Sequence, residues 1–401
     1  MIAALTLLLA AVDAAAVPAP AALPAPAGAG DALPAAPPAY RIESAAVRYT
    51  HFAQTGSKGY QSAAGPPGGP GLEDATIEQP QAEVVAKLGD RLTERLWVPV
   101  DIITAASPDH SRFGKPIDAP VDAISTPSRV NSAETLDTLT TYRWSAVTDV
   151  SFRAAFHIEE PFQSWSLGLG ITRSLAEDNA VIGASVNQVM DWFDRFNLNG
   201  TRKSRGSRST TNVNLTLTQL LSPTTIGALS YGGTVQTGTL INTWSSVLLA
   251  DGNRGEERLP RLRQRHALAG RLAQWLPWQG ALKLSYRAYL DDWGIAAQTV
   301  EAELAQRVLP WLHVRATGRF HHQTATRYFT TAADPADTTG FRTADSDLDG
   351  FDARTIGGAM VVDWPLTRWG QDVHADIGYE RYSRSNGLRV DIGTCALGIR
   401  F

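Results

Sequence analysis

The most restrictive feature of this sequence is a period-two alternation with apolar residues on one register and full charges on the other. In residues 281–291, Leu282, Leu284, Tyr286, Ala288 and Leu290 alternate with Lys283, Ser285, Arg287, Tyr289 and Asp291. Val300, Ala302, Leu304 and Val308 then alternate with Glu301, Glu303 and Arg307. Leu312, Val314, Ala316 and Phe320 alternate with His313, Arg315, Arg319 and His321. Val373, Ala375, Ile377 and Tyr379 alternate with His374, Asp376 and Glu380. Neighbouring side chains on a strand point to opposite faces. Charges at every second position require water on that face, and the apolar register requires lipid or a core on the other.

Strands of this kind recur along most of the chain. They are predicted at 42–53, 82–89, 92–104, 136–147, 150–158, 164–172, 180–190, 212–221, 225–235, 265–275, 281–290, 296–309, 312–324, 354–364, 373–382 and 388–401. Most are long enough to cross a bilayer as tilted strands, which takes roughly nine to eleven residues. The pattern predicts an all-β fold: a transmembrane antiparallel β-barrel of outer-membrane type, with about 16 strands in a range of about 12–16. With that count, short turns collect at one end and long polar loops at the other, as expected of periplasmic and outer sides. An even count puts both termini on the periplasmic side of a bacterial outer membrane.

The last strand carries a second signal. Cys395, Leu397, Ile399 and Phe401 share a face, and the chain closes on the aromatic Phe401. Phe401, Ile399 and Leu397 are read as the segment the barrel-assembly machinery recognises. Leu388, Val390 and Ile392 alternate on the other register, which predicts a slip or bulge near Gly393, where glycine tolerates odd backbone. Trp275, Trp278, Trp311, Trp364 and Trp369 lie beside predicted turns of one end and are read as an aromatic girdle at the membrane–water boundary.

Composition narrows the alternatives. Beyond residue 14 no apolar run is long enough for a helical span. The 34 glycines, 11 tryptophans and 43% hydrophobic content suit a barrel whose strands are half polar. A net charge of -4 argues against nucleic acid as a partner. The single Cys395 cannot build a disulfide framework and is read as a small wall residue. Residues 1–14 read as a signal peptide, with Val12-Asp13-Ala14 as the cleavage site. Residues 15–39, nearly all Ala and Pro, read as an extended periplasmic linker. Residues 40–401 are the barrel.

Several short motifs resemble one family. They are Val100-Asp-Ile-Ile-Thr-Ala-Ala-Ser-Pro108 with its echo Val121-Asp-Ala-Ile-Ser125, Leu221-Ser-Pro-Thr-Thr225, Leu229-Ser-Tyr-Gly232, Arg265-His-Ala-Leu268, Tyr286-Arg-Ala-Tyr-Leu-Asp-Asp-Trp-Gly294, and Ser346-Asp-Leu-Asp349 before Phe351-Asp352. Residues 40–401 are similar to an uncharacterised family of bacterial outer-membrane barrels, domain of unknown function family 3570. The resemblance implies an outer-membrane barrel and brings no catalytic residues with it. The chain departs from the family pattern in its Ala/Pro leader and in Thr104 after the Val-Asp pair.

The chemistry-bearing residues point to a lumen. Lys283, Arg287, Glu301, Glu303, Arg307, Arg315, Arg319, His374, Asp376 and Glu380 are the lumen-lining candidates. Glu301 and Glu303, flanked by basic strands, predict a roughly charge-balanced wall. Asp345, Asp347 and Asp349 have the spacing that opens a calcium loop, but Ile356 stands where the closing Glu belongs, so a solvated acidic loop is the stronger reading. His313 and His321 share a face and His322 points away, which does not make a metal site. His157 and His374 have no Ser at a spacing that ties it to them, so no catalytic constellation is found. No cofactor motif is present. The basic stretch Arg202–Arg208, placed in a loop at 197–209, would meet lipopolysaccharide phosphates or water. The expected function is a channel or transporter for small polar solutes. The alternative is a non-conducting anchor or export scaffold for a periplasmic protein docked on the Pro-rich segment, and an outer-membrane enzyme ranks third.

Overall fold

The computed structural model describes residues 40–55, 74–106, 130–159, 162–197, 202–241, 246–251, 254–331, 333–366 and 371–401. Residues 1–14 and 15–39, expected to be a signal peptide and a linker, residues 107–108 of the first family motif and its echo at 121–125 lie outside them. The wall strands are β1 (Arg41–Thr55), β2 (Asp74–Leu88), β3 (Leu92–Ala106), β4 (Val130–Ser145), β5 (Thr148–Glu159), β6 (Phe162–Leu175), β7 (Ala180–Phe196), β8 (Arg202–Ser222) and β9 (Thr225–Gly238). After a small separate hairpin, β10 (Ser246–Leu248) and β11 (Arg254–Glu256), come β12 (Leu262–Leu276), β13 (Gly280–Asp291), β14 (Ala296–Leu309), β15 (Leu312–Gln323), β16 (Phe351–Leu366), β17 (Gln371–Arg384) and β18 (Arg389–Arg400). Each wall strand pairs with its neighbours, and β1 pairs antiparallel with β18. The result is a closed antiparallel barrel of sixteen strands, with β10 and β11 paired only to each other.

Closure leaves the wall without a free edge, so its backbone donors and acceptors meet partners even in lipid. One register points outward and is apolar. Leu167, Leu169, Leu229, Leu268, Val300, Ile356, Ile377 and Leu397 are all exposed there. Cys395 stands among them, opposite Ile377. The connections 89–91, 146–147, 176–179, 223–224, 277–279 and 310–311 gather at one end. The long 239–261 and 324–350 lie at the other, but so do the short 292–295 and 385–388, so the expected sorting of short from long holds only in part.

The strands outrun the apolar pattern. β7 and β8 stay paired as far as Phe196 and Arg202, so the basic stretch at 202–208 is strand and not loop. Its charges are engaged: Arg202 pairs with Asp194 at 2.7 Å, Lys203 with Glu256 at 2.5 Å and Arg208 with Asp191 at 2.6 Å. β2 begins at Asp74, with Pro80 seated opposite Tyr49. Apolar alternation stops where lipid stops, but hairpin hydrogen bonding continues into water.

The bulge expected near Gly393 is absent: β18 holds one register from Arg389 to Arg400 against both neighbours. The apparent change of face has another cause. Arg389 and Asp391 continue the outward register above the apolar zone, where Arg381 Nε donates to Asp391 Oδ1 at 2.7 Å. Leu388 and Val390 point inward and are buried at the loop end.

Candidate functional site

Strand register places all ten lumen candidates on the inward face. Lys283 lies opposite Glu303, Glu301 opposite Arg319, Arg315 opposite Ala305 and Arg307 opposite His313. Arg287 faces Thr299, Glu380 faces Gly357, and His374 faces Asp363. Opposite charges meet across adjacent strands. Lys283 Nζ reaches Glu303 Oε1 at 2.8 Å and Arg319 Nε donates to Glu301 Oε2 at 2.5 Å. Toward the turn end, Asp363 lies 2.7 Å from His374 and 3.5 Å from His313, and Asp376 lies 3.8 Å from both His374 and Arg48. Arg307 donates to the Pro310 carbonyl at 2.7 Å.

The wall is not charge-balanced. Glu301 and Glu303 answer Arg319 and Lys283, but Arg287 and Arg315 face the interior, solvent-exposed, with no ion pair among the described residues. β12 adds the inward Arg263, Arg265 and Arg271. Asp291 meets Arg263, and Glu301, Glu303 and Asp291 together remain fewer than the inward cations of these four strands.

The loop end carries a folded cap. Val247, Ala333 and Ala344 form a small core with Leu249, joining the β10–β11 hairpin to loop 324–350. Thr343 Oγ1 donates to Glu257, and Arg258 and Arg342 exchange backbone hydrogen bonds at 2.7 and 2.9 Å. The cap is fastened to the inner wall at two points. The first is Asp291, whose side chain is fully buried and ion-pairs with Arg263 at 2.5 Å. Asp291 also accepts from Tyr289 Oη at 3.0 Å, Trp293 N at 3.1 Å and Ile295 N at 2.8 Å. Arg263 lies 4.5 Å above the Trp293 ring, and the Trp293 carbonyl accepts from Thr326 Oγ1 at 2.9 Å. Gly294, at φ 95°, supplies the left-handed turn that lets Asp291 fold back on its own loop. The motif at 286–294 is therefore a structural clasp.

The second point is Arg384, nearly buried, which pairs with Asp347 at 2.7 Å and stacks 4.3 Å over Phe351. Gln323 Nε2 donates to the carbonyls of Asp347 and Asp349 at 3.0 and 2.7 Å. The acidic stretch is thus divided among separate partners. Asp345 caps the 3-10 turn Ser346–Leu348 by accepting from Asp347 N, Asp347 holds Arg384, and Asp349 accepts from Gly350 N at 2.6 Å. Among the described residues no three His, Cys, Asp or Glu side chains converge as a metal site. Burial raises the Asp349 carboxyl above the usual range, against the Gly350 N–H. The backbone N–H groups of Gly340 and Thr339 hold Asp337 below it.

The histidines divide as the alternation predicts. His313 and His321 point inward, whereas His322 points outward and lies 2.8 Å from Asp352. His157 Nδ1 lies 2.8 Å from Thr135 Oγ1. Trp278 and Trp311 sit in or beside turns, and Trp311 packs edge-on against the outward Trp364 at 5.8 Å. Trp275 departs from the girdle: it pairs with Ala281 on the inward register, at the rim. Trp369 lies outside the described residues. Trp144, 70% exposed beside the 146–147 turn, was missed although it carries the same signal of an indole next to a tight turn. Leu397 points outward next to the seam, Ile399 pairs with Ala45 across it, and Phe401 N donates to the Glu43 carbonyl at 2.9 Å.

The family profile described as "Protein of unknown function (DUF3570)" matches residues 9–396. The chain belongs to this family. No curated protein matches the chain. Solved structures similar to this DUF3570 chain include a bacterial polysaccharide outer membrane secretin, at 10% identity and a TM-score of 0.46 over 89% of this chain and 98% of that one. The outer membrane protein OpdK from Pseudomonas aeruginosa gives 9% and 0.44 over 89% and 98%. A BenF-like porin from Pseudomonas fluorescens Pf-5 gives 7% and 0.43 over 90% and 99%. The closed barrel itself is established by this chain's own strand pairing.

Proposed function

We propose that the protein is a channel or transporter for small polar solutes in a bacterial outer membrane. The observation that carries the reading is the inward wall of β12–β15. Its arginines and lysine are solvent-exposed inside a closed barrel, at Arg271, Lys283, Arg287 and Arg315. Long charged side chains keep such exposure only where water reaches them. Both barrel termini lie at the end that lacks the long connections 239–261 and 324–350, and we assign that end to the periplasm. The barrel-assembly machinery and outer-membrane lipid are its expected partners. The outward polar band at Arg381, Asp391 and Arg389 fits the lipopolysaccharide head-group zone. No catalytic role is assigned.

Proteoliposome swelling tests this reading. Vesicles holding the refolded barrel should swell in small sugars and amino acids faster than empty vesicles. Equal rates would remove the channel. The cap gives one observation for a second reading, a non-conducting barrel that anchors or exports for a periplasmic partner. Under that reading, swelling stays at the empty-vesicle rate until the Arg384–Asp347 contact is removed.

A further inference from the structure

We propose that the barrel prefers small oxyanions, taken up along Arg265, Arg287 and Arg315. This rests on the channel reading above.

Arg265 opens the series near the loop end of β12. Its Nη2 donates to the Gln236 side-chain carbonyl, and its Nε is buried without a partner among the described residues. Asp291 stands opposite it in register, but that carboxylate is already occupied by Arg263, Tyr289 and two backbone N–H groups. Arg208, on the same wall, is held by Asp191. A guanidinium with a spare donor, next to a saturated carboxylate, is short of an acceptor. A bound oxyanion supplies one, and planar oxyanions match the guanidinium fork.

Arg287 and Arg315 continue the series toward the turn end. Arg287 lies four residues below the Asp291 level on β13, a drop of roughly 13 Å at strand rise. Arg315 pairs with Ala305, six residues below the Thr299 partner of Arg287, a further drop of roughly 20 Å. Both are exposed to the interior without an ion pair among the described residues. Arg319 and Lys283, on the same wall, are neutralised by Glu301 and Glu303. The unneutralised cations are therefore spread along the wall rather than gathered in one binding site. Such an arrangement lowers the energy of an anion at successive depths without trapping it. The carboxylates of the adjoining β16–β17 wall have their own partners toward the turn end, at Asp363 and Asp376. Glu380 faces the same interior, so a preference for anions is expected and not exclusion of cations.

The test is the reversal potential of the refolded full chain in planar bilayers across a potassium chloride gradient. It is repeated with acetate and with inorganic phosphate replacing chloride. The wild type should show anion preference and pass or be blocked by both replacements. Arg265→Gln combined with Arg287→Gln and Arg315→Gln should move the reversal potential toward zero and abolish the response to acetate and phosphate. Arg315→Gln alone, at an exposed position, gives a smaller shift in the same direction and serves if the triple variant does not fold. Arg381→Gln removes a charge from the outer face and should leave the potential unchanged. A cation-preferring wild type, or conducting variants with an unmoved potential, would overturn the proposal. A response to phosphate alone would restrict the series to phosphate and overturn the wider oxyanion class. A wild type with no conductance would instead overturn the channel reading itself.

Discussion

At the residue scale, what matters is which side of the wall a side chain occupies and what it meets there. Val300 is outward and exposed, in mid-strand, while Glu303 is three residues away on the inward register. Val300→Arg places a charge against lipid and should destabilise the barrel by about 2–4 kcal/mol in refolding titrations. Glu303→Gln loses one wet ion pair with Lys283 and should cost less than about 1 kcal/mol. Equal losses would invert the face assignment. In the cap, burial raises the Asp349 carboxyl, so the folded loop holds that proton more tightly than the unfolded chain does. Stability is then greatest below the unfolded pKa and falls as pH rises through the raised value. Asp349→Asn retains an acceptor for Gly350 N–H and removes the charge. Hydrogen exchange of residues 324–350 should be slower in this variant than in wild type at neutral pH, and the two should converge near pH ~3. Equal protection at neutral pH would show that burial of this carboxyl does not limit the cap.

At the element scale, the strands were legible wherever lipid imposed its period. β13, β14 and β15 could be read in register from the alternation of Leu and Val with Lys, Glu and Arg, because one face had no choice but to be apolar. The same signal was silent beyond the bilayer. The upper part of β8 was hidden because its outward residues there are Arg, Lys and Ser. Leu388 and Val390 imitated a register slip because they are buried at the loop end instead of facing water. Arg263 and Arg265 lie on a strand whose inward register also contains Ala267, Ala269 and Ala273, so the charged face of β12 carries no continuous polar pattern. The clasp at Asp291 could not be read at all, since its partners come from β12, from its own loop and from Tyr289. The last strand makes a separate prediction. Phe401 N bonds to Glu43 where β18 closes on β1. Deleting Phe401 should leave most of the protein in the periplasm, without the heat-modifiable band of a closed barrel. Wild-type levels of that band in outer-membrane fractions would contradict a role for Phe401 in closing the seam.

At the scale of the whole molecule, sixteen strands enclose an interior whose β12–β15 side is basic and whose loop end carries a fastened cap. On the proposed channel reading two demands meet there: the wall must stay wet for its charges to be tolerated, and the cap must leave solutes a way past. Removing both wall carboxylates, with Glu301→Gln and Glu303→Gln together, frees Arg319 and Lys283 and should strengthen anion preference. An unmoved reversal potential in a variant that still conducts would leave those pairs a purely structural role. The most direct measurement is single-channel recording of the refolded, heat-modifiable protein in planar lipid bilayers. A water-filled interior predicts discrete, reproducible conductance steps at neutral pH. A barrel that migrates as fully folded and inserts, yet gives no steps, would contradict a conducting lumen.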